Sequence, residues 1–177
     1  MPPLRVSVLL FLASLCAGIP PQQIKNLVTF GDSYTDVNPS SDGGTAWPIY
    51  ASFAYANLSL YPYAQSGAVC SNNLTSRSEP SLFESQLPVY FAEDNNRSLP
   101  LTPQETLYSL WIGTNDLGAN GLLTGNIGET ASLVAVADCM VNWVRVLYKS
   151  GARNFLFQNV CRDACLRWVQ IKAFEAN

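Results

Sequence analysis

Two polar clusters contain residue types that could perform nucleophilic chemistry. The first, residues 31–36 (GDSYTD), directly follows an apolar run, and the second, residues 113–116 (GTND), follows another. A serine at a strand-to-helix turn can lie exposed at a helix N-terminus, whose backbone N–H groups stabilise developing negative charge. An asparagine carboxamide beside it would supply a further donor. Each cluster alone is equally compatible with turn formation, because Gly, Asp, Asn and Ser favour turns.

The composition limits what these clusters could do. The 177 residues include no histidine, and the chain has 13% charged residues and a formal net charge of −3. No imidazole can act as a general base or as a metal ligand, and a free carboxylate with a pKa near 4 is poorly matched to serine activation at neutral pH. The acidic balance argues against nucleic acid as a partner, because such binding needs a basic surface. We predict neither a metal nor a cofactor.

Alternating strand and helix signals favour an α/β domain of ordinary size with a parallel sheet and right-handed crossovers. In such sheets ligands bind beyond the carboxyl ends of the strands, where both polar clusters fall. The strongest periodic signal is helical and lies between Ile127 and Lys149. The predicted strands are Asn26–Phe30, Leu58–Tyr63, Thr106–Ile112 and Asn154–Gln158; the predicted helices are a segment capped by Thr45 and running to Ala54, Leu82–Leu87 and Ile127–Lys149; Ala92–Pro103 is predicted to be an exposed loop.

Three sequence blocks resemble those of the GDSL, or SGNH, hydrolases. Residues 30–36 (FGDSYTD) resemble the first block, residues 64–68 (AQSGA) match the position of the second, and residues 112–116 (IGTND) resemble the third, Gly-x-Asn-Asp. Three blocks in the correct order and spacing are far more specific than one GDS triplet. The residues around these blocks look most like those of fungal secreted members of carbohydrate esterase family 16. The resemblance covers approximately residues 24–159.

The resemblance implies a fold and a set of roles. The fold would be the flavodoxin-like three-layer α/β/α arrangement of the SGNH hydrolases. Ser33 would be the nucleophile, and its backbone N–H, that of Gly67 and the Asn115 side chain would form the oxyanion hole. Asp32 and Trp47 are assigned to substrate binding, although Asp32 is also interpreted as a turn-forming residue. The expected substrate is an acetylated oligosaccharide or another small ester.

One family block is missing from the sequence. The family's last block, Asp-x-x-His, supplies the general base, and residues 160–177 do not look like the family's continuation. We therefore expect residues 20–159 to be the N-terminal part of an SGNH domain, incomplete at its C-terminus and with little esterase activity as given. The open alternatives are a truncated gene model, a splice form and a non-catalytic carbohydrate-binding pseudoenzyme.

Several features predict an exported protein. Residues 1–19 combine Arg5, an apolar stretch and small residues, which is the layout of a signal peptide. We expect a secreted, monomeric glycoprotein with no membrane association. The predicted glycosylation sites are Asn57, Asn73 and Asn96. Cysteine connectivity cannot be read from the sequence, but we favour a disulfide between Cys70 and Cys139, because the other two cysteines outside the signal peptide, Cys161 and Cys165, lie in the atypical tail.

Overall fold

The computed structural model of the protein describes residues 20, 22–38, 44–95, 99–117, 132–159 and 168–169. Within them, two helices are continuous with π-helical turns, one after α1 and one before α2. The elements are β1 (Asn26–Gly31), α1 (Trp47–Ile49) continued by a π-helical segment (Tyr50–Ala56), β2 (Ser59–Pro62), a π-helical segment (Leu82–Gln86) continued by α2 (Leu87–Asn95), β3 (Thr106–Trp111), α3 (Thr114–Leu117), α4 (Leu133–Lys149), β4 (Asn154–Gln158) and β5 (Trp168–Val169).

The strands form one sheet in the order β2-β1-β3-β4-β5. The first four strands are parallel, and the two-residue β5 pairs antiparallel with β4. The order 2-1-3-4 of the parallel strands is that of flavodoxin-like folds, which bind ligands where the chain switches from one side of β1 to the other. The predicted α/β class with a parallel sheet is therefore confirmed, and the architecture fits the three-layer SGNH hydrolase type.

The core lies between the sheet and the helices. All six residues of β1 are buried, as expected of a central strand in a parallel sheet. The Phe30 ring contacts the rings of Tyr63, Tyr90 and Trp143, which come from the end of β2, from α2 and from α4. A disulfide between Cys70 and Cys139 also joins α4 to the loop that follows β2. This packing holds the loops at the carboxyl ends of the strands in a fixed arrangement.

Helix boundaries differ from the sequence-based expectations in three places. The first helix begins at Trp47 with Ala46 at its N-cap, so the predicted Thr45 cap is wrong; Pro48 lies in the first turn as expected. The predicted loop Ala92–Pro103 is wrong in its first part, because α2 continues to Asn95. Tyr90 is buried against the core, and this contact stabilises the helix although the residues that follow are polar. The predicted start of the long helix at Ile127 is also wrong, because Ser132 is its extended N-cap and the helix begins at Leu133. Residues 118–131 lie outside the described residues.

The sequence of α4 (Leu133–Lys149) determines where this helix begins and which of its faces is buried. Ser132 caps it, since its Oγ accepts a hydrogen bond from the N–H of Ala135 at 3.1 Å. Val136, Trp143 and Leu147 recur at helical spacing and are the buried residues of the helix. None of the helices among the described residues is long and apolar enough to cross a membrane.

Candidate active site

The two polar clusters lie side by side because β1 and β3 are paired neighbours. Gly31, the last residue of β1, is in register with Trp111, the last residue of β3. The N–H of Asp32 extends this pairing by donating to the carbonyl of Trp111 at 3.1 Å. The chain runs from β1 to β2 on one side and to β3 on the other, so both clusters border the topological switch point of the sheet.

The nucleophile candidate Ser33 lies in a single tight turn after β1. The carbonyl of Asp32 accepts hydrogen bonds from the N–H groups of Thr35 and Asp36, both at 3.0 Å. The Asp32 carboxylate accepts from the N–H of Tyr34 at 3.1 Å, which closes the turn from its side-chain end. Ser33 itself is exposed, so its hydroxyl is accessible to a small molecule.

Asp32 is completely buried beneath this turn. Burial raises the pKa of its carboxyl group to about 6, against the opposing effects of hydrogen bonds from Tyr34 and Thr114. Its burial and its hydrogen bond to Tyr34 fit the turn-forming interpretation, and its assignment to substrate binding stays a prediction.

The second block is tied to the first by Asp36. One oxygen of the Asp36 carboxylate accepts from both the N–H and the hydroxyl of Ser66, each at 2.8 Å. The other oxygen accepts from the N–H and the side-chain amide of Asn38 at 2.9 and 3.0 Å. These bonds lower the pKa of Asp36, although burial acts in the opposite direction. Gly67, which follows Ser66, is thereby held near the turn that carries Ser33.

The third block contacts the second directly. The side-chain amide of Asn115 donates to the carbonyl of Ala68 at 2.9 Å. The buried carboxylate of Asp116 accepts from the N–H of Cys70, at 3.1 and 3.2 Å to its two oxygens, and from the Thr75 hydroxyl at 3.0 Å. Burial raises the pKa of Asp116 despite these bonds. Asp116 thus fixes the loop after Gly67, and Asn115 lies against that loop.

Two aromatic residues border the turn. The ring of Tyr34, which is 52% exposed, stacks on the ring of Trp111 with centroids 5.0 Å apart. The indole N–H of Trp47 donates to the hydroxyl of Thr35 at 3.2 Å, and the Trp47 side chain is half-buried. Trp47 therefore lies next to the candidate site, and its contact with substrate stays a prediction.

Some contributors to the site carry no recognisable sequence signal. The side chain of Gln86 donates to the carbonyl of Gly31 at 2.8 Å and accepts from its N–H at 3.0 Å, so it completes the hydrogen bonding of Gly31 where β2 has ended. Arg77 donates to the side-chain carbonyl of Asn115 at 3.4 Å. These contacts join residues 55 and 38 positions apart, and no short-range pattern encodes them.

The remaining residues singled out from the sequence lie either on the surface or outside the described residues. Asn57 and Asn73 are exposed, and Asn57 ends the first helical segment in a left-handed conformation. Asn96, the predicted signal peptide, Cys161 and Cys165 lie outside the described residues. Among the described residues, no group of three or more His, Cys, Asp or Glu side chains is arranged to hold a metal ion.

Taken together, the contacts gather a serine, a glycine-containing loop and an asparagine carboxamide at one edge of a parallel sheet. A hydroxyl nucleophile beside backbone and side-chain N–H donors is the arrangement needed for acyl transfer. The fold fits the SGNH hydrolase type.

Comparison with known proteins gives an independent result. No protein-family model matches the chain. An acetylesterase of Hypocrea jecorina is 30% identical over 171 aligned residues, which cover 79% of this chain and 49% of that protein. An acetylesterase of Thermothelomyces thermophilus is 24% identical over 163 aligned residues, covering 77% of this chain and 53% of that protein. The chain is thus a relative of fungal acetylesterases, and it spans about half the length of these two curated proteins.

Solved structures align over most of the chain. Bacillus subtilis protein YXIM aligns with a TM-score of 0.49 at 16% identity, covering 76% of this chain and 32% of that one. A carbohydrate esterase described as having divergent catalytic and non-catalytic binding functions aligns with a TM-score of 0.48 at 20% identity, covering 80% of this chain and 47% of that one.

Proposed function

We propose that this chain carries the nucleophile and oxyanion-hole half of a secreted SGNH-type ester hydrolase that removes acetyl groups from carbohydrates. The observation that supports the proposal best is the set of hydrogen bonds joining the three blocks: Asp32 to Trp111, Asp36 to Ser66 and Asn115 to Ala68. Similarity to the two acetylesterases supports the acetyl group as the acyl unit. Export is inferred from residues 1–19 and from the sequons.

The reaction follows from the roles of the grouped residues. The Ser33 hydroxyl oxygen attacks the ester carbonyl carbon and loses its proton to a base, while the carbonyl π electrons move onto oxygen. The N–H groups of Ser33 and Gly67 and the Asn115 amide hold that oxyanion. The intermediate collapses, the sugar leaves as an alcohol after taking up a proton, and an acetyl-enzyme remains. Water then attacks the acetyl group and releases acetate and free Ser33.

The base for this sequence of steps is not among these residues. The 177 residues include no histidine. The carboxylates of Asp36 and Asp116 are occupied by hydrogen bonds that hold the loops, and Asp32 is buried under the turn. We therefore propose that a polypeptide of these residues alone acylates Ser33 slowly, because removal of the base from a serine hydrolase leaves only the contribution of the oxyanion hole and binding.

A fluorophosphonate probe tests the nucleophile without requiring turnover. Attack by Ser33 forms a P–O bond and expels fluoride, and mass spectrometry of peptides locates the adduct. We expect slow labelling at Ser33 that added imidazole accelerates, since imidazole supplies the missing base. Ser33→Ala should abolish labelling of that peptide, whereas Ser150→Ala, at the C-terminal end of α4, should label at the original rate. Equal labelling in Ser33→Ala would refute the proposal.

Turnover of 4-nitrophenyl acetate distinguishes weak from full catalysis. Imidazole itself hydrolyses this ester, so Ser33→Ala at the same imidazole concentration gives the background. We expect an imidazole-dependent excess over that background and little excess without imidazole. A high rate without imidazole that depends on Ser33 would contradict the proposed lack of a base.

The absence of histidine also favours a second candidate function, binding of acetylated carbohydrate without hydrolysis. Titration of the protein with an acetylated xylo-oligosaccharide, followed by nuclear magnetic resonance, separates the two. Binding accompanied by no Ser33-dependent release of acetate, with or without imidazole, would favour this second function over the first.

A further inference from the structure

The carboxamide of Asn115 lies between two groups of opposite hydrogen-bonding character. Its nitrogen donates to the carbonyl of Ala68 at 2.9 Å, and its oxygen accepts a long hydrogen bond of 3.4 Å from a guanidinium nitrogen of Arg77. Both Asn115 and Arg77 are half-buried. The two contacts therefore fix which end of the carboxamide faces which neighbour.

This orientation matters because the two ends of a carboxamide have nearly the same shape and opposite chemistry. An N–H end stabilises an oxyanion, whereas a carbonyl oxygen would repel it. Guanidinium can only donate and a backbone carbonyl can only accept, so Arg77 and Ala68 select the same orientation of Asn115. A cation at the carbonyl end also polarises the amide, which strengthens its N–H as a donor.

We propose that Arg77 is a positioning residue that holds the Asn115 carboxamide in the orientation needed for the oxyanion hole. This inference rests on the proposed function and assigns the residue that prepares one of its donors. Arg77 acts through Asn115 and does not itself touch the reacting ester carbonyl.

Two residues of the segment Ser76–Pro80, here called the rim segment, contact the candidate donors. A Cβ atom built on Gly67 would be 2.7 Å from Cγ of Glu79, so the Glu79 side chain packs on the Gly67 backbone. The rim segment thus supplies a contact to each of the two oxyanion donors that lie outside the Ser33 turn: Arg77 to Asn115 and Glu79 to Gly67.

Arg77 also affects the fold, and the test must distinguish this effect from the effect of Arg77 on Asn115. Its positive charge favours the ionised form of Asp116, the carboxylate that holds the loop after Gly67. Thr75 offers a matched control, because its hydroxyl donates to Asp116 at 3.0 Å rather than to Asn115. Thr75→Val therefore weakens the same support of the fold and leaves the Asn115 carbonyl contact in place. All proteins are produced without glycosylation, because Thr75 completes the predicted sequon of Asn73.

The experiment compares rates of fluorophosphonate labelling at Ser33 at one fixed imidazole concentration. Loss of a complete oxyanion donor costs about 10²–10³ in rate, so we expect about tenfold slower labelling in Arg77→Met, where the donor is present and wrongly oriented part of the time. Arg77→Lys, which restores a cationic donor, should recover part of the rate. Thr75→Val should stay within about threefold of the original protein.

A double variant shows whether Arg77 acts through Asn115. In an Asn115→Ala background, Arg77→Met should cause no further loss of labelling rate, because the group it positions has been removed. The side-chain amide signals of Asn115 in a ¹⁵N spectrum should also shift in Arg77→Met, while those of Asn38, which donates to Asp36, should not.

The outcomes separate this inference from the proposed function. Labelling that persists in Ser33→Ala removes the proposed function. Labelling that depends on Ser33 and is equally fast in Arg77→Met overturns the role of Arg77 alone. Two further results would also overturn the role of Arg77. One is a loss of labelling rate in Thr75→Val as large as that in Arg77→Met, and the other is a full additional loss when Arg77→Met is added to Asn115→Ala. Either result would mean that Arg77 affects the labelling rate through the fold and not through Asn115.

Discussion

At the residue scale, Gly31 determines how closely the two functional clusters approach each other. Its φ is +146°, and a Cβ atom built on it would lie 2.1 Å from the carbonyl oxygen of Trp111. We expect Gly31→Ala to lower the free energy of unfolding by at least about 3 kcal/mol, because backbone strain and a clash with β3 add together. Denaturant unfolding followed by circular dichroism measures this loss.

Gly151 provides the control for that substitution. Its φ is +113°, and no described atom beyond its chain neighbours lies within 4 Å of a Cβ atom built on it. Gly151→Ala should cost only the backbone strain, about 1–2 kcal/mol. An equal loss in the two variants would show that the close approach of β1 and β3 contributes nothing to the stability of the turn.

The residues of the site differ in how far their sequence context reveals them. Ser33 and Asn115 stand in short motifs directly after apolar strand-like runs, and parallel strands bring such positions to one edge. Gln86 and Arg77 follow no motif, and their contacts depend on how separate loops pack. Burial of Asp32 is likewise a tertiary property, which its sequence context does not reveal.

At the scale of elements, strand positions were more predictable than helix ends. The fourth strand, Asn154–Gln158, matches the prediction at both ends, and the central strand extends only one residue further than predicted. Buried strands in a parallel sheet are continuous apolar runs, which the sequence shows directly. The end of α2 depends instead on Tyr90 and Phe91 packing onto the core, and the polar residues after them gave no sign of a helix.

The disulfide between Cys70 and Cys139 is the covalent link between α4 and the site. It joins residues 69 positions apart, and Cys70 also donates its N–H to Asp116. Replacing both cysteines by alanine should lower the free energy of unfolding by about 4 kcal/mol, because the unfolded chain regains the entropy of the closed loop. Guanidinium unfolding followed by tryptophan fluorescence measures the change.

The original protein treated with reductant is the comparison for the double cysteine variant. Reduced original protein should unfold at a denaturant concentration close to that of the double variant, and the double variant should not respond to reductant. A double variant as stable as the oxidised original would contradict the expected contribution of the link between α4 and the loop after Gly67.

At the scale of the whole molecule, folding shifts the pKa values of four carboxyl groups in opposite directions. Burial raises the pKa of Asp32 to about 6 and raises that of Asp116. Hydrogen bonds lower the pKa of Asp36 and of Glu84. The first pair makes the folded state bind more protons than the unfolded chain, and the second pair makes it bind fewer, so the two pairs give stability opposite dependences on pH.

These directions predict a maximum of stability near pH 4. Between about pH 4 and pH 6, the folded protein keeps a proton on Asp32 that the unfolded chain has released, so the free energy of unfolding falls as pH rises, by about 3 kcal/mol from this group. Below about pH 4, the unfolded chain protonates Asp36 and Glu84 first, so stability falls again as pH decreases through their folded pKa values. Unfolding midpoints measured across this range trace both slopes.

Two variants assign the slopes to their groups. Asp32→Asn imitates the protonated carboxyl group, so it should reduce the decline between about pH 4 and pH 6 to the part that Asp116 contributes and leave the acid side unchanged. Asp36→Asn should retain that decline and reduce the acid-side loss, because it removes a carboxylate whose ionised form the Ser66 and Asn38 hydrogen bonds favour. If the decline persists at full size in Asp32→Asn, then the buried carboxyl group beneath Ser33 is not its source.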